Sequence, residues 1–339
     1  MLLLNFDEER FRSIQAGAAA LARPLGDCVG SLLDGGAHNV FFLGAGGAGV
    51  LMLPAAQLLQ RGTTFPTQLV HAAEVVAMDS VSLGEGSIVV IPSLSGTTPE
   101  SIEVLDFSRR KGAQVIALTG HDDTPVARGA QHSFTNFAED DTSCESFYLQ
   151  SLAIALAIQR AQGRCPDYES ILGDLDRLPD LLVEVKRGFE DRARAFAEEI
   201  KDDGYHIITG AGSLWAQAWY YATCILEEMQ WIRTRPIHAS DFFHGTLELL
   251  EEGVSVILYK GEDAARPLAE RVEAFAPTVT DRLAVFDTAD HELPGISAAT
   301  RTLISPVIIA TLMERVSAHL EVLRDHPLTT RRYYRRVAY

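Results

Sequence analysis

The densest group of chemically useful side chains is a run of hydroxyls, Ser93-Leu94-Ser95-Gly96-Thr97-Thr98-Pro99-Glu100, set where an apolar strand ending at Pro92 meets a helix. A helix N-terminus offers unpaired N–H groups and the positive end of its dipole. Gly96 allows close approach, and Ser93, Ser95 and Thr98 can each donate to a phosphate oxygen, so a phosphate fits without a lysine. An ordinary N-cap needs one hydroxyl, with Glu100 beside it; three hydroxyls and a glycine go beyond that. Upstream, Gly44-Ala45-Gly46-Gly47-Ala48-Gly49 reads as GxGxxG. A dinucleotide site also requires an acidic residue about 20 positions on, at the end of the second strand. The sequence has Thr63, Thr64, Phe65 and Pro66 there, and Glu74 only later. Gly46 and Gly47 are therefore read as letting backbone approach a sugar or its phosphate. Glu228 closes a mostly apolar helix from Leu214, where a carboxylate would be partly desolvated, a condition suited to a general base. His244 precedes Gly245 in a loop, and Asp241 could fix its tautomer. Helix-end glutamates and loop histidines are ordinarily solvated, so spacing alone assigns neither.

The elements that must carry these residues repeat along the chain. Val40 to Gly47 is echoed by His206 to Ser213 at an offset of 166, and Val70-His71-Ala72-Ala73-Glu74 by Ile237-His238-Ala239-Ser240-Asp241 at 167. Gly86 to Ile91 matches Gly253 to Leu258, also at 167, and Ala113 to Leu118 has a looser counterpart in Arg282 to Phe286. Two copies of one α/β unit follow. The strands are short, continuous and rich in Val and Ile, and helical stretches such as Val50 to Arg61 and Pro99 to Lys111 separate them, which predicts parallel strands covered on both faces. Ligands of such sheets bind beyond the carboxyl ends of the strands, where these motifs sit. Residues 146 to 200 read as helices interrupted at Cys165-Pro166-Asp167 and Leu178-Pro179-Asp180. His71 and His238 share a repeat position, where a structural hydrogen bond is the default. Lys260 ends the strand equivalent to the one before Ser93, but no hydroxyl cluster follows it, so one unit is expected to bind phosphate and the other to supply catalysis.

The 339 residues predict about two domains. A composition 47% hydrophobic and 22% charged is that of a globular chain. The 46 acidic against 29 basic side chains give a formal charge of −17, which would repel a nucleic-acid backbone. Cys28, Cys144, Cys165 and Cys224 are far apart, giving neither a zinc pattern nor a disulfide framework. Met1 to Glu9 has no leader pattern, and the apolar stretch Ile304 to Met313 is about half the ~20 residues of a membrane span, so a cytoplasmic protein with a core helix is expected, with no membrane and no nucleic acid as partner.

Taken together, the paired glycine-ended units, the Ser93 to Thr98 loop and the 16-residue spacing of Glu228 and His244 resemble the double-SIS-domain sugar isomerase family. The chain is similar to the isomerase half of glucosamine-6-phosphate synthase, and more closely to fructosamine 6-phosphate deglycases, whose tail resembles His326 to Tyr334. The resemblance implies two tandem SIS units of flavodoxin-like three-layer form: a helical lead at 1–34, a first SIS domain at 35–160, a helical connection at 161–200, a second at 201–325 and a basic aromatic tail at 326–339. It implies that Ser93, Ser95, Gly96 and Thr98 hold a sugar phosphate, with Gly46 and Gly47 against the sugar. Glu228 becomes the base and His244 the acid in ring opening, His244 completing a neighbouring protomer's site in a homodimer. The implied reaction is hydrolysis of a 6-phosphorylated fructosamine through an enaminol and imine, with no metal or redox cofactor. Alternatives are a sugar-phosphate aldose–ketose isomerase and a non-catalytic phosphosugar-binding protein. Against the latter, only about 35 residues precede the first strand, too few for a helix-turn-helix domain. Ala48 and Leu94 depart from the synthase pattern, which has serine and glutamine there. Arg331, Arg332, Arg335 and Arg336, with Tyr333, Tyr334 and Tyr339, are expected to dock the tail on an acidic partner subunit or to contact an amino-acid carboxylate.

Overall fold

The computed structural model describes residues 3–138, 143–334 and 336–338. The chain forms two compact units. One comprises Glu8–Leu181 with Gly295–Val307; the other comprises the segment ending at Asp7, Leu182–Pro294 and the chain from Ile308 onward. The stretch 161–200, expected as a helical connection, is shared between them, the division falling between Leu181 and Leu182. Its helices, Tyr168–Leu175 and Leu178–Ile200, begin at the two proline interruptions.

The first unit holds β1 (Asn39–Gly44), β2 (Thr67–His71), β3 (Ser87–Ser93), β4 (Gln114–Thr119) and β5 (His132–Thr135) in the order β2-β1-β3-β4-β5, all parallel. Strands β1 and β3 are buried along their whole length, which is why they read as unbroken apolar runs. Phe41, Leu43, Val89, Ile91 and Val115 lie in a core that also contains Val104 and Leu105 of the helix Pro99–Arg110. The order is the flavodoxin-like one, whose switch point falls between β1 and β3. The glycine turn after β1 and the hydroxyl loop after β3 therefore leave the sheet side by side.

In the second unit β6 (Tyr205–Gly210), β7 (Arg233–His238), β8 (Ser255–Lys260) and β9 (Leu283–Asp287) take the same order, β7-β6-β8-β9. The registers repeat as well: Gly44 pairs with His71, and Gly210 with His238. Pro236 is tolerated in β7 because that strand is an edge with one side unpaired. No disulfide joins the four cysteines.

The apolar stretch read at Ile304 to Met313 lies within a longer helix, Ala298–Leu323. That helix is long and apolar enough to cross a membrane by length and composition, and 89% of its apolar window is buried.

His206 in β6 is fully buried, with Nδ1 2.8 Å from Ser255 Oγ, and burial pushes its pKa down from 6.5 to about 4. The unfolded chain takes up this proton below pH 6.5 and the folded chain only near 4. Stability is therefore expected to fall across that window, by about 3 kcal/mol from this group at the acid end. Urea denaturation at stepped pH measures the loss, which should be smaller in a His206→Gln variant; equal slopes for the two proteins would refute it.

Candidate functional site

In the first unit Ser93 is the last residue of β3 and only 3% exposed, and its Oγ has no hydrogen-bond partner. A buried hydroxyl without a partner in its own chain is costly and rare, which makes this one a candidate donor to a ligand. Ser95 Oγ accepts from the Thr97 N–H at 3.3 Å and from Thr97 Oγ1 at 3.1 Å, which folds the loop on itself. Thr98 is the N-cap of the helix Pro99–Arg110 but makes no side-chain cap hydrogen bond. By contrast the next helix, Pro125–Gly129, has an ordinary cap, where Thr124 Oγ1 accepts from the Ala127 N–H. Gly96 has φ +60°, and a Cβ there would lie 2.1 Å from Thr124 Oγ1, so the loop can turn only with glycine. The loop is further tied down by Gly120 N–H donating to Leu94 O and Val126 N–H donating to Gly96 O.

The GxGxxG run serves two ends. Gly44 and Gly49 touch backbone to backbone, a Cβ on Gly44 falling 2.3 Å from Gly49 Cα. Gly46, at φ +54°, is exposed with nothing within 4 Å of where its Cβ would stand, and Gly47 follows it in the short helix Gly46–Val50. The second strand begins at Thr67, after the Thr63 to Pro66 segment read as its end, and closes on His71. Glu74 is exposed in the helix Ala72–Ala77, so no acidic residue stands at the end of β2 and the dinucleotide reading fails.

In the second unit the helix Leu214–Tyr220 widens into a π-turn, Tyr221–Glu227, and Glu228 caps it. Such widened turns cluster at functional sites. The desolvation expected for Glu228 is not met. Its side chain is 36% exposed, and Oε1 accepts from Arg331 Nε at 2.9 Å. Neighbouring Glu227 is committed elsewhere, accepting from Thr234 N–H and Oγ1. His244 is exposed at the end of a short 3-10 turn, Asp241–Phe243, and its side chain has no hydrogen-bond partner among the described residues. Asp241 does not orient its ring. The Asp241 backbone oxygen accepts from the His244 N–H, while its carboxylate accepts from Ser240 Oγ at 3.3 Å. Ser240 instead serves His238, whose Nδ1 accepts the Ser240 N–H and lies 2.7 Å from Ser240 Oγ, so the ring proton sits on Nε2.

The second unit's counterpart of the hydroxyl loop is filled by the chain itself. Asp263 stands three residues beyond the end of β8, as Gly96 does beyond β3. Its carboxylate accepts from Ser213 N–H at 3.0 Å, Ser213 Oγ at 2.8 Å and Ala265 N–H at 2.9 Å. A Cβ on Gly212, the counterpart of Gly46, would lie 2.6 Å from both carboxylate oxygens. Lys260 pairs with Glu273 and Asp287, and Arg266 clamps Asp287 with two hydrogen bonds. Burial alone would raise Asp287, but the Arg266 bonds outweigh it and hold the carboxyl below its ordinary value.

Spacing gave no sign of the Arg331 contact, since its two partners lie 103 residues apart, nor of Asp263, whose position carries glycine in the first unit. The tail places Arg332 3.9 Å over the Trp231 ring; Arg335 and Tyr339 lie outside the described residues.

Two doubly wound sheets of one strand order, each with a glycine turn at its switch point, define a class of tandem α/β proteins. The SIS domain family matches residues 36–160. Fructosamine deglycase FrlB of Bacillus subtilis is 30% identical over 93% of this chain and 95% of its own length. Fructoselysine 6-phosphate deglycase of Escherichia coli is 26% identical over 87% of this chain and 85% of its own. Among solved structures, the C-terminal domain of glucosamine-fructose-6-phosphate aminotransferase from Francisella tularensis superposes with a TM-score of 0.79 at 15% identity, over 95% of this chain and 97% of that one. The chain belongs to the SIS-domain sugar isomerase family.

Proposed function

We propose that this protein hydrolyses a 6-phosphorylated fructosamine to a sugar 6-phosphate and a free amino acid or amine. The observation that carries the phosphate half is the buried, unpartnered Ser93 hydroxyl beside an uncapped helix start. The amine half is supported by the likeness to the two deglycases. In this reading Ser93, Ser95 and Thr98 donate to the phosphate over Gly96, and Gly46 and Gly47 lie against the sugar. His244 protonates the ring oxygen as the ring opens, and being exposed it serves the site of a second copy in a homodimer. Glu228 then removes the C1 proton and returns it to C2, so the ketoamine passes through an enaminol to the C1 imine. Water adds to C1, the C–N bond breaks, and the amine leaves with the sugar 6-phosphate as an aldehyde. The compartment, in this reading, is the cytoplasm.

The test is a coupled assay for glucose 6-phosphate released from a panel of phosphorylated fructosamines, run beside His244→Ala. Release that falls by at least about 10²-fold in the variant, the usual worth of a positioned acid, supports the reading. No release from any conjugate, with fructose 6-phosphate still raising Tm, would replace it by the isomerase or binding function.

A further inference from the structure

Arg331 reaches Glu228 from the far end of the chain, and its own segment holds it in place. Its Nε donates to Glu228 Oε1 at 2.9 Å, while Nη1 donates to Leu328 O at 2.6 Å and Thr330 O at 3.0 Å. The segment is anchored on both sides of these contacts. Gln230 Nε2 donates to His326 O at 2.8 Å, Leu328 N–H donates to Glu321 Oε1 at 3.0 Å, and His326 and Arg332 both pack on Trp231. Trp231 itself is exposed and held at φ +56°, so the turn after Glu228 and the tail brace each other. The guanidinium is thus positioned before any ligand arrives, which lowers the ordering cost of binding one.

The pair it makes is incomplete. Glu228 meets the guanidinium through a single oxygen and is 36% exposed, conditions under which an ion pair is weak. A guanidinium holds a carboxylate best through two parallel hydrogen bonds. On a chain of formal charge −17, an ordered cation beside the proposed base is a place where an anionic group is favoured rather than repelled.

We infer that Arg331 is a specificity-determining residue: it takes the carboxylate of an amino-acid moiety on the substrate, and in exchanging partners it frees Glu228 for proton transfer. This rests on the deglycase reading and narrows it to conjugates whose amine carries a carboxylate. A conjugate without one leaves Glu228 tied to Arg331.

The test compares the 6-phosphofructose conjugates of glycine and of glycinamide, equal in size and differing in the carboxylate, in the same release assay. The unaltered protein is expected to favour the glycine conjugate in kcat/KM by about tenfold or more, the worth of one hydrogen bond to a charged group. Arg331→Gln should erase that preference, raising KM for the glycine conjugate and speeding the glycinamide conjugate, because Glu228 is no longer tied to a guanidinium. Arg331→Lys, which keeps the charge without the fork, should retain part of it, and it decides the matter if the glutamine variant does not fold. Equal losses on both conjugates would reduce Arg331 to a structural brace and overturn the inference. Release from both conjugates at equal kcat/KM by the unaltered protein would sink the inference alone, whereas release from neither would sink the deglycase reading beneath it.

Discussion

A Glu228→Gln protein is expected to release glucose 6-phosphate about 10²–10⁴-fold more slowly than the unaltered chain while binding substrate almost as well. Glutamine keeps the shape of the side chain and an oxygen that can still accept from Arg331 Nε, so the brace between the π-turn and the tail survives. What is lost, in the proposed reaction, is the group that takes a proton from C1 and gives it back at C2. The measurement is kcat and KM separately. A rise in KM with kcat intact would make Glu228 a binding residue, and a change of less than about threefold in either would remove it from the site. The effect is large because the neighbouring carboxylate is already engaged. Glu227, one residue away, is committed to Thr234.

The second large effect is on stability. Arg315 is fully buried and gives Nε and Nη2 to the two oxygens of Glu190 at 2.7 and 3.0 Å, with Nη2 also donating to Leu4 O. Glu190 Oε1 accepts in addition from Leu4 N–H at 3.0 Å and lies 3.0 Å from His319 Nε2. The cluster pins the segment around Leu4 through both of its backbone polar groups. Removing one partner from a buried pair leaves an uncompensated charge, so Glu190→Gln is expected to cost about 3–5 kcal/mol, read as a fall in Tm or in the denaturant midpoint. A cost below about 1 kcal/mol would mean the pair is not buried in solution. The same cluster sets an acid limit. Burial alone would raise the Glu190 carboxyl, but the bonds from Arg315 and Leu4 outweigh it and hold it below its ordinary value. Its charge therefore contributes stability at neutral pH that disappears as pH falls through that depressed value. Burial lowers His319 as well, so its protonation as pH drops below the ordinary histidine range acts in the same direction.

Much of this architecture can be read from the sequence because the physics is local. Strands covered on both faces must be apolar throughout, as β1, β3 and β8 are, and a chain that turns sharply after a strand needs glycine, as at Gly46 and Gly212. The repeat could be found because both features recur at one offset. The candidate site can be read only where it is contiguous, in the Ser93 to Thr98 loop. Arg331 and Asp263 were out of reach because their roles are set by partners far along the chain. The helix Ala298–Leu323 runs beyond its apolar stretch, Ile304 to Met313, for a related reason. Glu314 and Arg315 look like the end of a buried run, yet Arg315 is fully buried and Glu314 pairs with Lys186. Tertiary pairing supplies what the local pattern denies.

Asp263 gives the duplication an asymmetry in time as well as in place. Its carboxylate acts as a tethered ligand for the second unit, which is born with its anion in place and needs no visitor to order its glycine turn. In the proposed reading the first unit, with Gly96 at that position and the buried Ser93 hydroxyl beside it, takes its anion from the substrate instead. On that reading one unit carries its anion as part of its own chain, and the other exchanges one at every turnover.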